Sequence, residues 1–404
     1  MDDTTREQDW SLIEAQLPTG WRELGMEMGV LKRRPPHMGQ KILDIGVALR
    51  LVLHYVALRG SQRATVAAAA AAGIVTITQV ALFKWMRKIG GYLEALLARM
   101  VVAGQYASEA WGGYVLIAGD ATTVQRPGAT GTTARIHYGL QLADLRPRFI
   151  RVTDVTVGET TRNFDPEPGE LWILDRGYSN PPSVEFVVDR GADILVRHSR
   201  QSMPLVDVHG ERIDVVSLVM ATPQRGVARE CKVYVRPANG RMIAARLCWM
   251  RLTEPDAKTA RAHAERDGVE DQDALDAAEY IVVLTTADKA RLNTGQVIAL
   301  YRARWQVELN FKRNKSIEDL DTLPSLLPQT IHAWLCAKLL LGQIALRLAS
   351  QPVDVPPCGL GSLILPAAPI ESNAARSRTR RRAVVRDAVC LGDHVQRPST
   401  REVA

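Results

Sequence analysis

Apolar residues recur at helical spacing from about Gln40 to Val102, at Ile42, Ile45, Leu49, Val52 and Leu53 and again at Val80, Phe83 and Met86. A repeat near 3.6 residues marks a helix with one buried face, so this region is predicted to be all-helical. Gly60-Ser61 and Gly73 punctuate it, and Thr76 and Thr78 are N-cap candidates ahead of a segment from Gln79 to Ile89. The run Ala67 to Ala72 is simply strong helix former. Near Tyr114 the pattern changes. Val115-Leu116-Ile117-Ala118 is unbroken and stops at Gly119-Asp120, and Leu171-Trp172-Ile173-Leu174 stops at Asp175-Arg176-Gly177. Such short runs suit strands buried on both faces in the centre of an α/β sheet. Ala134 to Leu142 and Phe149 to Val157 predict two more strands between them.

From Ser199 to about Thr253 the runs Cys231 to Val235 and Met242 to Leu252, separated by Pro237-Ala238-Asn239-Gly240, predict a β-rich insertion. A charged helical stretch from Pro255 to Ala278 follows, and Tyr280 to Leu284 returns to the buried-strand pattern. Gly295 to Ser316 reads as one helix. The fold class is therefore α/β, preceded by an all-α N-terminal region. The expected boundaries are 1–108 for the helical region, 109–351 for the α/β domain with its insertion at about 199–279, and 352–404 for a disordered tail rich in Pro, Arg, Ser and Ala.

Composition changes this picture little. The 404 residues are 46% hydrophobic and 24% charged, as in a soluble globular protein. The net charge of +7 favours polyanionic partners, although eight arginines against four acidic residues from Glu371 onward supply four of those charges. Five cysteines without a C-x-x-C pair argue against zinc or a disulfide scaffold and point to a reducing cytoplasm. Met1-Asp2-Asp3 opens no secretory signal, so none is expected. The apolar stretches Lys41 to Leu58 and Leu335 to Ala349 carry charges, and neither is expected to span a membrane.

Asp120 and Asp175 each stand where a buried strand is predicted to emerge. Alone, either is a turn residue or a helix cap. On neighbouring parallel strands they would face each other, and a divalent cation would relieve their repulsion. In the third element Tyr301, Arg304, Glu308 and Lys315 are offset by three, seven and fourteen residues. At ~100° per residue they share an arc of about 60° on one helix face. Arg304 and Glu308 also read as an ordinary i,i+4 ion pair. The helical region leaves two readings open as well: a helix-turn-helix presenting Lys84, Arg87 and Lys88 to DNA, or a helical bundle with a solvated basic face. His198 reads as a structural histidine. Walker and dinucleotide loops are absent from the sequence.

The Tyr301-x2-Arg304-x3-Glu308-x6-Lys315 spacing resembles the signature of DDE-class insertion-sequence transposases of the group named after insertion sequence four. Ile117-Ala118-Gly119-Asp120-Ala121-Thr122 resembles the family's first-aspartate strand, and Leu174-Asp175-Arg176-Gly177-Tyr178 its second. Ala121 stands where relatives often carry Gly, and the tail from Pro352 resembles nothing in the family. The resemblance covers roughly Tyr114 to Leu348, and the helical region more loosely. It implies a ribonuclease-H-like catalytic core with a β-rich insertion. It further implies two Mg²⁺ or Mn²⁺ ions held by Asp120, Asp175 and Glu308, phosphate contacts from Arg304 and Lys315, and for Tyr301 either a phosphate contact or a buttress to its helix.

The expected activity is cleavage at the terminal inverted repeats of an element and joining to target DNA. The expected assembly is a homodimer that pairs two ends, nucleoid-associated in the cytoplasm and independent of membranes. Two rivals remain at this stage: a nuclease of the same fold without strand transfer, and a non-catalytic DNA-binding relative.

Overall fold

A computed structural model describes residues 10–31, 42, 44–58, 60–101, 111–126, 128, 131–266, 268–318, 320, 323 and 327–349, without the side chains of 273 and 313–318. The tail 352–404 expected to be disordered lies outside the described residues.

The N-terminal region is helical: α1 (Trp21–Glu27), α2 (Ile45–Ala57), α3 (Gln62–Ala71) and α4 (Gln79–Val101). Asp44 caps α2 through the Val47 N–H at 3.1 Å, and Ser61 caps α3 through Ala64 at 3.2 Å. Of the two threonine candidates, Thr78 accepts from the Ala81 N–H at 3.2 Å. The helix it starts runs to Val101, well past the expected Ile89, because Leu93, Leu96, Leu97 and Met100 prolong the buried face. That face packs on α11 (Pro328–Ala349) and on β3 (Pro147–Asp154). Helix α11 is long and apolar enough to cross a membrane by length and composition, but its buried side chains belong to the same core as α2 and α4.

The sheet has nine strands in the order β3-β2-β1-β4-β5-β9-β8-β7-β6. They are β1 (Val115–Val124), β2 (Ala134–Gln141), β3, β4 (Glu170–Leu174), β5 (Asp193–Arg197), β6 (Leu205–Val206), β7 (Ala228–Val235), β8 (Ile243–Arg251) and β9 (Tyr280–Thr285). β1, β2 and β3 pair antiparallel, whereas β4 and β5, joined through α5 (Pro181–Asp189), continue parallel from β1. This mixed α/β arrangement is consistent with a ribonuclease-H-like core. The segment 199–279 supplies β6, β7 and β8, which extend the sheet beyond β9, together with α6 (Val215–Met220), α7 (Glu254–Arg266) and α8 (Gln272–Ala278).

Two expectations are corrected. β1 does not end at Gly119-Asp120: it runs on to Val124, paired with β2 down to Val124↔Ala134, so Asp120 lies within a strand opposite Tyr138. An unbroken apolar run marks where a strand is covered on both faces, and β1 continues past that cover. Nor is 295–316 one helix. α9 (Thr294–Arg302) and α10 (Trp305–Glu318) are separated at Ala303-Arg304, where Arg304, Gln306 and Val307 donate to the carbonyls three residues back. Those tighter i→i−3 bonds break the α-helical ladder.

Candidate active site

The sheet's period of two decides where the aspartates point. Leu116 on β1 and Leu171 and Ile173 on β4 pack with Val297, Ile298, Leu300 and Tyr301 of α9. Ile117, Trp172 and Leu174 pack on the opposite face with Phe164, Tyr178 and Val184. Asp120 follows Leu116 and Ala118 on the helix-covered face, and Asp175 follows Leu171 and Ile173. The parallel register pairs Gly119 with Leu174, so the two aspartates are the next positions on strands about 4.8 Å apart.

The close packing of Leu174 and Trp172 over this point requires Gly119. A Cβ there would lie 2.6 Å from Leu174 Cδ2 and 3.1 Å from Trp172 Cε3. The Trp172 ring also covers Gly139 of β2, and its Nε1 donates to Glu170 at 2.8 Å.

Glu308 arrives from α10, which lies over β1 and β2 with the Phe311 ring 5.7 Å from that of Tyr138. Arg304, at the break between α9 and α10, joins the two acidic sources. Its Nη1 is 3.5 Å from Asp120 Oδ2, and its Nη2 donates to Glu308 Oε1. Tyr301 is buried beside it. The i,i+4 pair of Arg304 and Glu308 therefore exists, but as part of a larger cluster that includes Asp120.

Electrostatics agree with the geometry. Burial raises the Asp120 carboxyl to about 6; Asp175 and Glu308 push it the same way, while the Ala121 N–H at 2.8 Å and Arg304 oppose. Burial also raises the Tyr301 hydroxyl to about 12, with Arg304 and Arg197 opposing and Asp175 adding. For Arg304, burial disfavours the charge, but Asp175, Tyr301 and Glu308 outweigh it and hold the guanidinium protonated.

Among the described residues, no three His, Cys, Asp or Glu side chains stand close enough together to enclose a metal ion in this conformation. The donor set nevertheless suits a hard divalent cation. It is all carboxylate oxygen, Asp120 is destabilised as an anion, and a guanidinium already supplies positive charge between two of the three acids.

Other expected residues fall elsewhere. Lys315 is on α10, but its side chain lies outside the described residues. Lys84, Arg87 and Lys88 are exposed on α4 and share no ion pair with the acidic cluster among the described residues. His198 is structural: its Nε2 lies 3.0 Å from the Met203 carbonyl, and burial lowers its pKa. Tyr178 and Arg176 were legible in the sequence only within the second-aspartate motif; the buried Tyr178 hydroxyl has no hydrogen-bond partner, and burial and Asp120 raise its pKa. Arg197 was given no role, because its place level with Asp175 depends on the β4–β5 register.

A carboxylate within one strand and another just past the end of its parallel neighbour, with an acid from a covering helix, define an acidic centre on a mixed α/β sheet. The chain belongs to the family of the transposase DDE domain, whose model matches residues 111–341. It is 26% identical over 366 residues to the "Putative transposase InsL for insertion sequence element IS186A" of Escherichia coli (strain K12), covering 88% of this chain and 97% of that protein. It is also 26% identical over 367 residues to the "Transposase for insertion sequence element IS421" of Escherichia coli, with the same coverage. Membership implies a catalytic transposase that binds DNA and uses a divalent metal.

Proposed function

We propose that this transposase binds the terminal inverted repeats of its element, cuts the phosphodiester there and transfers the strand to target DNA, with Asp120, Asp175 and Glu308 holding two Mg²⁺ or Mn²⁺ ions. The observation that carries the reading is the common face of Asp120, within β1, and Asp175, immediately past the end of its parallel neighbour β4, with Glu308 linked to Asp120 through Arg304. Such a pair of ions would supply the Lewis-acid charge that activates a water or a DNA 3′-hydroxyl and stabilises the leaving oxygen.

The protein's own groups do the rest. Arg304, partly buried with its charge favoured by Asp175, Tyr301 and Glu308, is the first phosphate contact, and its guanidinium would turn from Asp120 to donate to a phosphate oxygen. Lys315 is the second phosphate contact, and Tyr301 either donates to phosphate or buttresses its helix. No covalent protein intermediate is needed. Lys84, Arg87 and Lys88 contact DNA from α4. The chain works in the cytoplasm, at the nucleoid, as a homodimer that pairs two ends, and a doubled mass on end DNA by light scattering checks that assembly.

The test is a strand-transfer assay with Mg²⁺ on duplexes carrying the inverted repeats that flank the gene. Wild type cuts and joins, whereas Asp120→Asn and Glu308→Gln bind the ends but do neither. Cleavage by these variants at the wild-type rate removes both residues from the mechanism. Cleavage without joining reduces the protein to a nuclease, and binding without cleavage to a non-catalytic relative.

A further inference from the structure

We propose that Arg176, Arg197 and Arg200 form one phosphate-binding track that holds a strand of the DNA backbone alongside Asp175. This rests on the transposase reading and adds the surface on which its substrate lies.

All three arginines are exposed, and none makes an ion pair among the described residues. Other arginines of the same sheet, Arg135, Arg148, Arg225, Arg246 and Arg251, are each engaged with a carboxylate. Three exposed guanidiniums on adjoining segments concentrate positive charge without an ion-pair partner among the described residues, although the charge of Arg200 also acts on Asp214.

Their placement is built in. Arg176 directly follows Asp175. β4 pairs with β5 through Leu174↔Val196, so Arg197 is level with Asp175 on the next strand, about 4.8 Å across. The loop after β5 is tied to the turn after Asp175 by buried Ser179. Its hydroxyl accepts from the Ser199 N–H at 3.0 Å, and its carbonyl accepts from the Ser202 hydroxyl at 2.7 Å. Arg200 lies between those two anchors. The charge of Arg197 is felt at Tyr301, beside the acidic centre, and that of Arg176 at His198, next to Arg197.

Arg200 also lines, with Arg212, a cavity of about 320 Å³ whose other walls include Met203, Leu205, Ile213 and Val215. The carboxylate on that cavity, Asp214, is engaged in capping α6 through Val216 and Ser217. A guanidinium fork fits phosphate oxygens in a bidentate manner and is weakly hydrated, so an array of this kind suits a phosphodiester backbone. It also offsets the repulsion that a DNA strand meets on approaching three carboxylates.

Counterion release gives the test its magnitude. Each phosphate contact adds about 0.9 to the slope of log affinity against log salt, so three contribute about 2.7, or roughly 40-fold in affinity between 50 and 200 mM salt. The full-length chain is titrated by fluorescence anisotropy with a labelled duplex of arbitrary sequence. Arg176→Gln, Arg197→Gln and Arg200→Gln combined are expected to lower the slope by about 2 to 3 with an unchanged melting temperature. The corresponding triple Lys variant restores the slope, because it keeps the charges. Arg229→Gln, Lys258→Gln and Arg266→Gln combined, an equal loss of charge at other exposed positions, leave it as in wild type. A triple Gln variant with the wild-type slope, or an equal drop in the control set, overturns the track while leaving the transposase reading intact. A wild-type chain that binds no DNA overturns both.

Discussion

Adding a single methyl group at Gly119 tests how tightly the two aspartates are held. In Gly119→Ala the new Cβ meets Leu174 Cδ2 at 2.6 Å and Trp172 Cε3 and Cζ3 at 3.1 and 3.2 Å, against an ordinary carbon–carbon contact of ~3.5 to 4.0 Å. Neither neighbour yields cheaply. Both are fully buried, and Trp172 is pinned by its bond to Glu170, which Arg148 holds at 2.9 Å. Overpacking of this kind costs about 1 to 3 kcal/mol, and the pinned surroundings favour the upper half of that range. Leu174→Ala alone removes a fully buried leucine at a cost of about 2 to 5 kcal/mol. Together the two changes should cost about 1 to 2 kcal/mol less than their sum, since the deleted side chain supplied the closest contact. Urea unfolding of the four proteins measures this cycle. Residues 119 and 174 immediately precede the two aspartates, so Mg²⁺-dependent cleavage by Gly119→Ala should fall by up to about 100-fold, the typical effect of misplacing a catalytic group by ~1 Å. Additivity within about 0.5 kcal/mol, with cleavage at the wild-type rate, would refute the packing argument.

Two other outcomes follow from buried polar groups. His137 is fully buried on β2, its Nε2 3.0 Å from Thr153 Oγ1, and burial lowers its pKa to about 4, with Arg135 and Arg151 adding. As pH falls from 6.5 towards 4 the unfolded chain takes up a proton that the folded chain refuses, so stability drops by about 3 kcal/mol across that window; His137→Gln should flatten the urea midpoint between pH 7 and 4.5, and an unchanged slope rules His137 out. Arg246→Ala strips partners from the Ala287 and Leu292 carbonyls and from Glu230, and should cost about 2 to 4 kcal/mol; Arg246→Lys, without the planar fork, should recover less than half of that by the same measurement.

How far the sequence revealed the site depended on the kind of information each residue carried. Asp120 and Asp175 stood out because each follows an unbroken apolar run, and burial of a strand is a local property of composition. That Asp120 sits within a strand was hidden, because pairing of Thr122 with Ile136 and Val124 with Ala134 is a long-range choice that polar residues do not advertise. Tyr301, Arg304 and Glu308 were found by spacing and resemblance. The helix assumed to align them is broken at Ala303-Arg304, and Arg304 links Glu308 to Asp120 through its own side chain. Periodicity reads a face from residue types alone and does not register a hydrogen-bond shift from i−4 to i−3. Arg197 escaped notice because its relation to Asp175 exists only once β4 and β5 are in register.

The segment between the second aspartate and the glutamate does more than lengthen the gap between them. Its strands β7 and β8 join the sheet through β9, and α9 packs on β7, β8, β5 and β9. At the start of α9, Glu230 of β7 accepts from Thr294 Oγ1 at 2.8 Å, from Arg246 of β8 at 2.8 Å and from Lys289 at 2.6 Å. Arg246 in turn holds the carbonyls of Ala287 and Leu292, both at 3.0 Å, just before the Asn293 capping box that begins the helix. The helix ends at Arg302, one residue past Tyr301 and two before Arg304. Aspartates fixed by β1 and β4 and a glutamate fixed by α10 are thus referenced to one sheet, the first two directly and the third through the inserted strands. Displacing β7 or β8 therefore moves the start of the segment that carries Arg304 and Glu308 while leaving Asp120 and Asp175 in place. An insertion attached in this way can alter the geometry of catalysis without touching a catalytic residue.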